Sequence, residues 1–383
     1  MSSIIELHMA EYNEPPGAVV AVPGVVTLMG EYSDLCDGYT LSGALGQTVE
    51  IAVSKRRDNS LRFYSADFDE RKRTTIPNLK FRREDRWANY IKGVLHEIFR
   101  RNYVFKGLNM TVKGSIPQKV GLKSSTALCT AAALSVKKLH DFDIDDTQLI
   151  QSIYFAETAF MQAKSRLVDI MTMLYARKDH LLLFDLHSLD YSYIPCQLNS
   201  SVFLITESDI PPFSIREDVV YREEACHIGF AAIREKLPDG SGALRELSAS
   251  EVKSASEYLP EDQKKFCYYI LEESRLTKDA AHVLEQKDAP AYGKAMNRMQ
   301  TGLRDLFEVS CPEVDWLTKR AMEASGSYGS KMIGPGFGGC TVTLMQADKI
   351  ESYTDRLEEY EHIFGFHPDW FIYKPAERAR IRE

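Results

Sequence analysis

Apolar and polar positions change their period several times along the chain, and each change predicts an element. Residues 17–29 (GAVVAVPGVVTLM) and 48–54 (TVEIAVS) are β-rich runs, and 107–113 (GLNMTVK) alternates as a half-buried strand does. From Ser124 the pattern turns helical. Ser124 or Ser125 is the expected N-cap, and the Ala- and Leu-rich run to Leu139 has high helix propensity. Residues 145–176 read as further helix, and strand character returns at 180–195 and 201–208. A charge-rich, mostly helical region covers 214–324, ahead of the glycine-rich segment KMIGPGFGGCTVTLMQ. Strands and helices interleave, which predicts an α+β fold of two lobes.

At 383 residues the chain is long enough for two domains. It has no repeat, low-complexity tract or long Pro/Gly/Ser linker, so the boundary is folded in; it is placed near 190, giving domains 1–190 and 191–383. A formal charge of −8 argues against broad nucleic-acid binding, which needs a basic surface. No apolar run approaches the roughly 18 residues that span a bilayer, and the N-terminus lacks the zones of a signal peptide. Seven scattered cysteines without a CxxC pair fit buried thiols in a reducing, cytoplasmic setting. Neither a zinc-type spacing nor HExxH occurs. The charged stretch 69–75 (DERKRTT) reads as a solvated turn.

Three stretches carry candidate chemistry. GSIPQKVGLKSSTALC (114–129) joins a strand to a helix through a glycine-bearing turn with paired serines. A helix N-terminus there presents N–H groups and partial positive charge, which favour a phosphate, although the Walker A spacing is absent. Gly334-Pro-Gly-Phe-Gly-Gly339 holds four glycines in six residues and implies unusual backbone angles, with either a ligand or a second loop pressed against it. In VPGVVTLMGEYSDLCDG (22–38), Glu31, Asp34 and Asp37 cluster just beyond a strand, where they either face solvent or grip the hydroxyls of a ligand.

In this order the three stretches resemble the motifs of the GHMP small-molecule kinases, specifically the galactokinase family. VPGVVTLMGEYSDLCDG is similar to the first motif, Pro117-Gln-Lys-Val-Gly-Leu-Lys-Ser-Ser125 to the second and KMIGPGFGGCTV to the third. Segments at 87–93, 181–189, 307–315 and 365–373 extend the likeness over nearly the whole chain. The resemblance implies a two-lobed fold with a mixed-sheet N-terminal lobe and a ferredoxin-like C-terminal lobe. It also implies ATP and Mg2+ as cofactors, a small-molecule sugar or polyol as acceptor, and a monomer or weak homodimer with neither nucleic acid nor membrane as partner.

By the same resemblance, Asp169 in AKSRLVDIM is the carboxylate that orients or deprotonates the acceptor hydroxyl. Glu157 is the magnesium-binding glutamate, with Ser124 or Ser125 as its hydroxyl partner; hard oxygen ligands suit that ion. Glu31, Tyr32, Asp34 and Tyr221 are the implied sugar contacts. Gly121, Lys123, Ser124, Ser125, Gly336 and Gly338 are the implied nucleotide contacts.

The chain departs from the family pattern at several of these places. Val25 replaces the arginine that accompanies the catalytic aspartate, Tyr32 replaces a histidine, Arg166 replaces a glycine near the sugar, and the sugar-contacting tyrosine aligns with Val219, beside Tyr221. Lys119 and Lys123 replace a glycine and a serine of the second motif. If the segment is helical, Arg166 shares a face with Asp169 three residues on. It then either supplies the charge missing at Val25 or forms a structural ion pair. Two functions follow: an ATP-dependent kinase acting on galactose or a related sugar or polyol, or a catalytically degenerate relative that binds nucleotide or sugar as a sensor or interaction protein.

Overall fold

The computed structural model describes residues 2–118, 120–210, 216–236, 244–247 and 249–382; Lys119 lies outside them. The first sheet is built from β1 (Ala18–Met29), β2 (Tyr39–Lys55), β3 (Ser60–Ser65), β4 (Glu70–Thr75), β5 (Leu108–Gly114), β6 (His180–Asp185) and β7 (Asp190–Pro195). All pairs are antiparallel except β3 with β5, so the sheet is mixed. The runs at 17–29 and 107–113 match β1 and β5, whereas 48–54 is only the far half of the 17-residue β2. That length lets β2 hold two partners besides β1, with Tyr39–Ser42 paired to β6 and Val49–Lys55 to β5.

Every residue of β1 is buried, as its Val-rich composition requires. The helix Ser124–His140 packs on β1 and β2 through an Ala- and Leu-rich face. Small side chains on that face let the helix lie close to the sheet. The expected turn at 69–75 is instead mostly the edge strand β4, whose residues alternate between half-buried and exposed. Charge on alternate positions of an edge strand discourages pairing with another chain, and the hydropathy of a strand with one polar face mimics that of a turn.

The chain passes to a second sheet after Pro195. It contains β8 (Ser201–Glu207), β9 (Ser327–Ile333), β10 (Cys340–Gln346) and β11 (Trp370–Tyr373), antiparallel in the order β11-β8-β10-β9. Helices Ala289–Asp305 and Pro312–Glu323 precede β9 and pack on it, giving the ferredoxin-like order. The last strand, β12 (Arg380–Arg382), returns to the first sheet beside β1. The helical region expected at 214–324 holds five helices among its described residues, the longest Glu261–Glu285. Among the described residues no helix is long and apolar enough to cross a membrane.

A buried ion pair ties the lobes together. Lys331 on β9 donates to Glu31 Oε1, just past the end of β1, at 2.6 Å, and also to Met332 O. Lys331 is fully buried and Glu31 is 6% exposed. Breaking a buried pair by removing one partner leaves the other charge unpaired in a poor solvent for it. Lys331→Met is therefore expected to lower the unfolding free energy by about 3–5 kcal/mol in denaturant titration, although the methionine keeps most of the apolar stem.

Candidate functional site

Local backbone features bring the three motifs together. A bulge in the β1–β2 ladder between Pro23 and Val25 releases Val25 N–H from the sheet, and it donates to Leu122 O in the second motif at 3.2 Å. A Cβ at Gly24 would lie 2.8 Å from the same carbonyl, so this crossing needs glycine. Gly121 (φ +86°) and Gly334 (φ +96°) then meet backbone to backbone, and a Cβ at Gly121 would sit 3.1 Å from Gly334 Cα. The partner pressed on the glycine-rich loop is thus the second motif itself. Tyr32 closes the third side: its hydroxyl donates to Pro335 O at 2.7 Å, and its ring packs on Phe307.

These contacts enclose a cavity of about 220 Å³ lined by residues that include Thr27, Glu31, Tyr32, Lys123, Lys164 and Arg166. Polar atoms without a partner gather around it. Thr27 Oγ1, Glu31 Oε2 and Arg166 Nε belong to its wall, and Asp34 Oδ1 and Asp169 Oδ1 to residues beside Arg166 and Lys123; all five are buried and unpaired. Leaving one such atom unsatisfied costs about 1–3 kcal/mol, so five in one neighbourhood mark a place built for a hydroxyl-rich ligand. A second cavity, about 360 Å³, is lined by residues including Phe68, Trp87, Tyr90, Gly114, Gln118, Ser124 and Ser125.

The start of the helix Ser124–His140 stands between the two cavities. Its N-cap is Lys123, not a serine, and no side chain caps it, so Ser124 and Ser125 open the first turn with no side-chain cap over its N–H groups. Lys123 holds φ +64°, a left-handed conformation that costs a non-glycine residue roughly 1–2 kcal/mol. Its ammonium pairs with Asp169 Oδ2 at 3.0 Å.

Arg166 does not pair with Asp169 through a shared helical face. Residues 145–176 are not one helix: the chain leaves it after Phe160, Gln162 is left-handed, and a new helix starts at Leu167 with Arg166 extended at its N-cap. Arg166 Nη2 instead donates to Gly30 O and Thr40 Oγ1 at 3.1 and 3.0 Å. Burial alone would lower its pKa, but the negative field of Asp34, Asp169, Glu31 and Glu273 outweighs that and raises it. The guanidinium therefore stays charged in the cavity wall.

The same break lets Ser165 reach Glu157. Glu157 is 1% exposed, and its two oxygens accept from Ser165 Oγ at 2.5 Å and Thr126 Oγ1 at 2.8 Å. The hydroxyls at this carboxylate are thus those of Thr126 and Ser165 rather than of Ser124 or Ser125. Burial raises its pKa, partly offset by those two hydrogen bonds. A carboxylate ringed by hydroxyls is a hard-oxygen donor set and fits magnesium.

Several expected contacts stand elsewhere. Gly336 and Gly338 face Val309 and Ile210 and line neither cavity. Tyr221 is exposed on the helix Arg216–Lys236, its ring edge-on to Phe266. Asp37 is half-exposed and paired with Arg234. Conversely, Thr27, Lys164 and Lys331 were not assigned from sequence. Thr27 and Lys331 lie inside the first and third motif stretches and Lys164 in the segment AKSRLVDIM around Asp169, which was the signal available. Lys164 pairs with Glu223 and lies over the Tyr32 ring.

Comparison with known proteins agrees with this arrangement. Family models match residues 6–55 (galactokinase galactose-binding signature), 89–177 (GHMP kinases N terminal domain) and 280–360 (GHMP kinases C terminal). Fold and site together thus define a GHMP kinase. A putative galactokinase of Treponema pallidum (strain Nichols) is 32% identical over 386 residues, 100% of this chain and 96% of the relative. A galactokinase of Fusobacterium nucleatum is 30% identical, covering 91% of each chain. The structure of Lactococcus lactis galactokinase complexed with galactose has the same fold, with a TM-score of 0.92 over 98% of each chain at 21% identity. The chain belongs to the galactokinase family.

Behind the first motif, Glu273 is fully buried and accepts from Tyr32 N–H at 2.9 Å, Ser33 Oγ and Tyr269 Oη. Burial first, and Glu31 second, push its pKa up to about 8. A folded-state pKa above the unfolded one stabilises the fold below the unfolded value, and that stabilisation is lost as pH rises through the folded one. Between about pH 4.5 and 8 Glu273 thus contributes a fall in stability of the order of a few kcal/mol. Glu273→Gln should flatten the decline of melting temperature across that window; an unchanged slope would show that this carboxyl does not titrate there.

Proposed function

We propose that the protein is an ATP-dependent sugar kinase that phosphorylates a hydroxyl of galactose or a closely related sugar or polyol. The observation that carries this reading is the set of unpaired buried polar atoms of Thr27, Glu31 and Arg166 in the wall of the smaller cavity, with Asp169 Oδ1 beside it on the partner of Lys123. The galactokinase names of the relatives and the match of residues 6–55 to a galactose-binding signature support it.

In this reading the second cavity takes the nucleotide. Aromatic side chains Phe68, Trp87 and Tyr90 line it, and the uncapped helix start at Ser124 and Ser125 supplies N–H donors for phosphate oxygens. Glu157, Thr126 and Ser165 are the residues that would hold magnesium. When bound, the ion supplies neutralisation of charge at the transferred phosphoryl group. Glu31, Arg166 and Thr27 fix the acceptor's hydroxyls, and Asp169 Oδ1 receives the proton of the hydroxyl that attacks. Val25 provides no charge, and its burial at 0% exposure makes it part of the sheet core.

The test is ADP release from Mg-ATP with galactose and a panel of epimers, deoxy sugars and polyols. Galactose or a near relative should be turned over, and no turnover of any member would reject the reading. Asp169→Asn should lower kcat by about 10²–10⁴-fold while sugar affinity stays within a few-fold. Glu157→Gln should raise the magnesium concentration required for half-maximal rate.

A further inference from the structure

We propose that Lys123 is the cation of the transfer step: one ammonium holds Asp169 in place and faces the phosphoryl group as it passes from nucleotide to acceptor. The inference rests on the kinase reading above and goes beyond it, because it assigns the charge that Val25 does not supply to a different loop.

Elimination among the described residues leads to this lysine. Four cationic side chains stand in or beside the acceptor cavity. Lys331 is committed to Glu31, Lys164 to Glu223, and Arg166 to Gly30 O and Thr40 Oγ1. Lys123 is the one that reaches Asp169, at 3.0 Å from Oδ2. Its side chain is 25% exposed and that of Asp169 is 2% exposed, so the pair has one buried end and one end open to the cavity.

Position adds a second, independent argument. Lys123 lines the acceptor cavity, while its neighbours Ser124 and Ser125 line the other one. A group leaving the helix start for the Asp169 carboxylate must pass the ammonium. The left-handed backbone at Lys123 is the conformation that glycine or asparagine adopts with least strain.

The chemistry balances without another reagent. The acceptor O–H bond breaks and its proton goes to Asp169 Oδ1, while Oδ2 stays with Lys123. The acceptor oxygen bonds to the terminal phosphorus. The bond from that phosphorus to its bridging oxygen breaks, and ADP leaves with the electron pair. The proton then passes from Asp169 to solvent. Lys123 offsets the negative charge that neighbours Asp169 and gathers on the phosphoryl oxygens, a stabilisation strongest in a site closed to water.

Three variants test this: Lys123→Met, Lys123→Gly and Lys123→Arg. Each is measured for kcat, KM for galactose and Mg-ATP, melting temperature, and thermal stabilisation by the magnesium complex of a non-hydrolysable ATP analogue. Lys123→Met and Lys123→Gly should lose about 10²–10³-fold in kcat with the KM for galactose within about threefold. Both should lose part of the stabilisation by the analogue. Lys123→Gly relieves the left-handed backbone but, like Lys123→Met, leaves the buried Asp169 carboxylate unpaired, so rates are compared well below each variant's measured melting temperature and a loss of rate cannot be put down to misfolding. Lys123→Arg should recover at least about a tenth of the rate. An active parent whose Lys123→Gly and Lys123→Met variants stay within about threefold in kcat overturns the role of Lys123 alone. An inactive parent overturns the kinase reading and this inference with it.

Discussion

The site depends on the approach of two backbones at Gly121 and Gly334. One belongs to the loop that feeds the helix Ser124–His140, the other to the turn between β9 and β10. A side chain at Gly121 would press on the opposite backbone at 3.1 Å, and both residues need positive φ. This contact fixes where the helix start points relative to the first motif. The bulge at Gly24, the Tyr32–Pro335 hydrogen bond and the Glu31–Lys331 ion pair all act around the same junction. The smaller cavity is the space these four contacts leave.

That junction explains why so much charge is tolerated inside. Lys331, Arg166 and Lys123 face Glu31, Asp34 and Asp169, with Glu273 behind them, its pKa pushed up by burial and by Glu31. Positive and negative groups nearly balance, so the cavity has no strong single-sign field. A neutral, hydroxyl-bearing ligand suits such a wall, because individual lone pairs and one N–H remain open between charges of both signs.

Several assignments made from sequence survived because they depend on local chemistry. Glycines at 334, 336, 338 and 339 all take positive φ, as a run of that density requires. The runs at 17–29 and 107–113 form the strands β1 and β5. Errors arose where a side chain's direction mattered. The pairing of Arg166 with Asp169 presumed an unbroken helix, and the chain breaks at 161–166 instead. Ser124 looked like an N-cap by residue type, yet the capping position fell to Lys123, because the loop docks on Val25 N–H and Gly334 and so sets where the helix begins. Tyr221 was chosen by proximity in sequence to an aligned position, and the helix that carries it turns the ring outward.

The sequence by itself determined the interleaved α+β pattern, the three motifs and the family, because propensity, glycine density and residue order are properties of short stretches. Tertiary structure alone decided which charges meet. Lys123 and Asp169 are 46 residues apart, and Glu31 and Lys331 are 300 apart. An ion pair needs its partners within a few ångströms, and no periodicity in a one-dimensional pattern encodes that distance across two lobes.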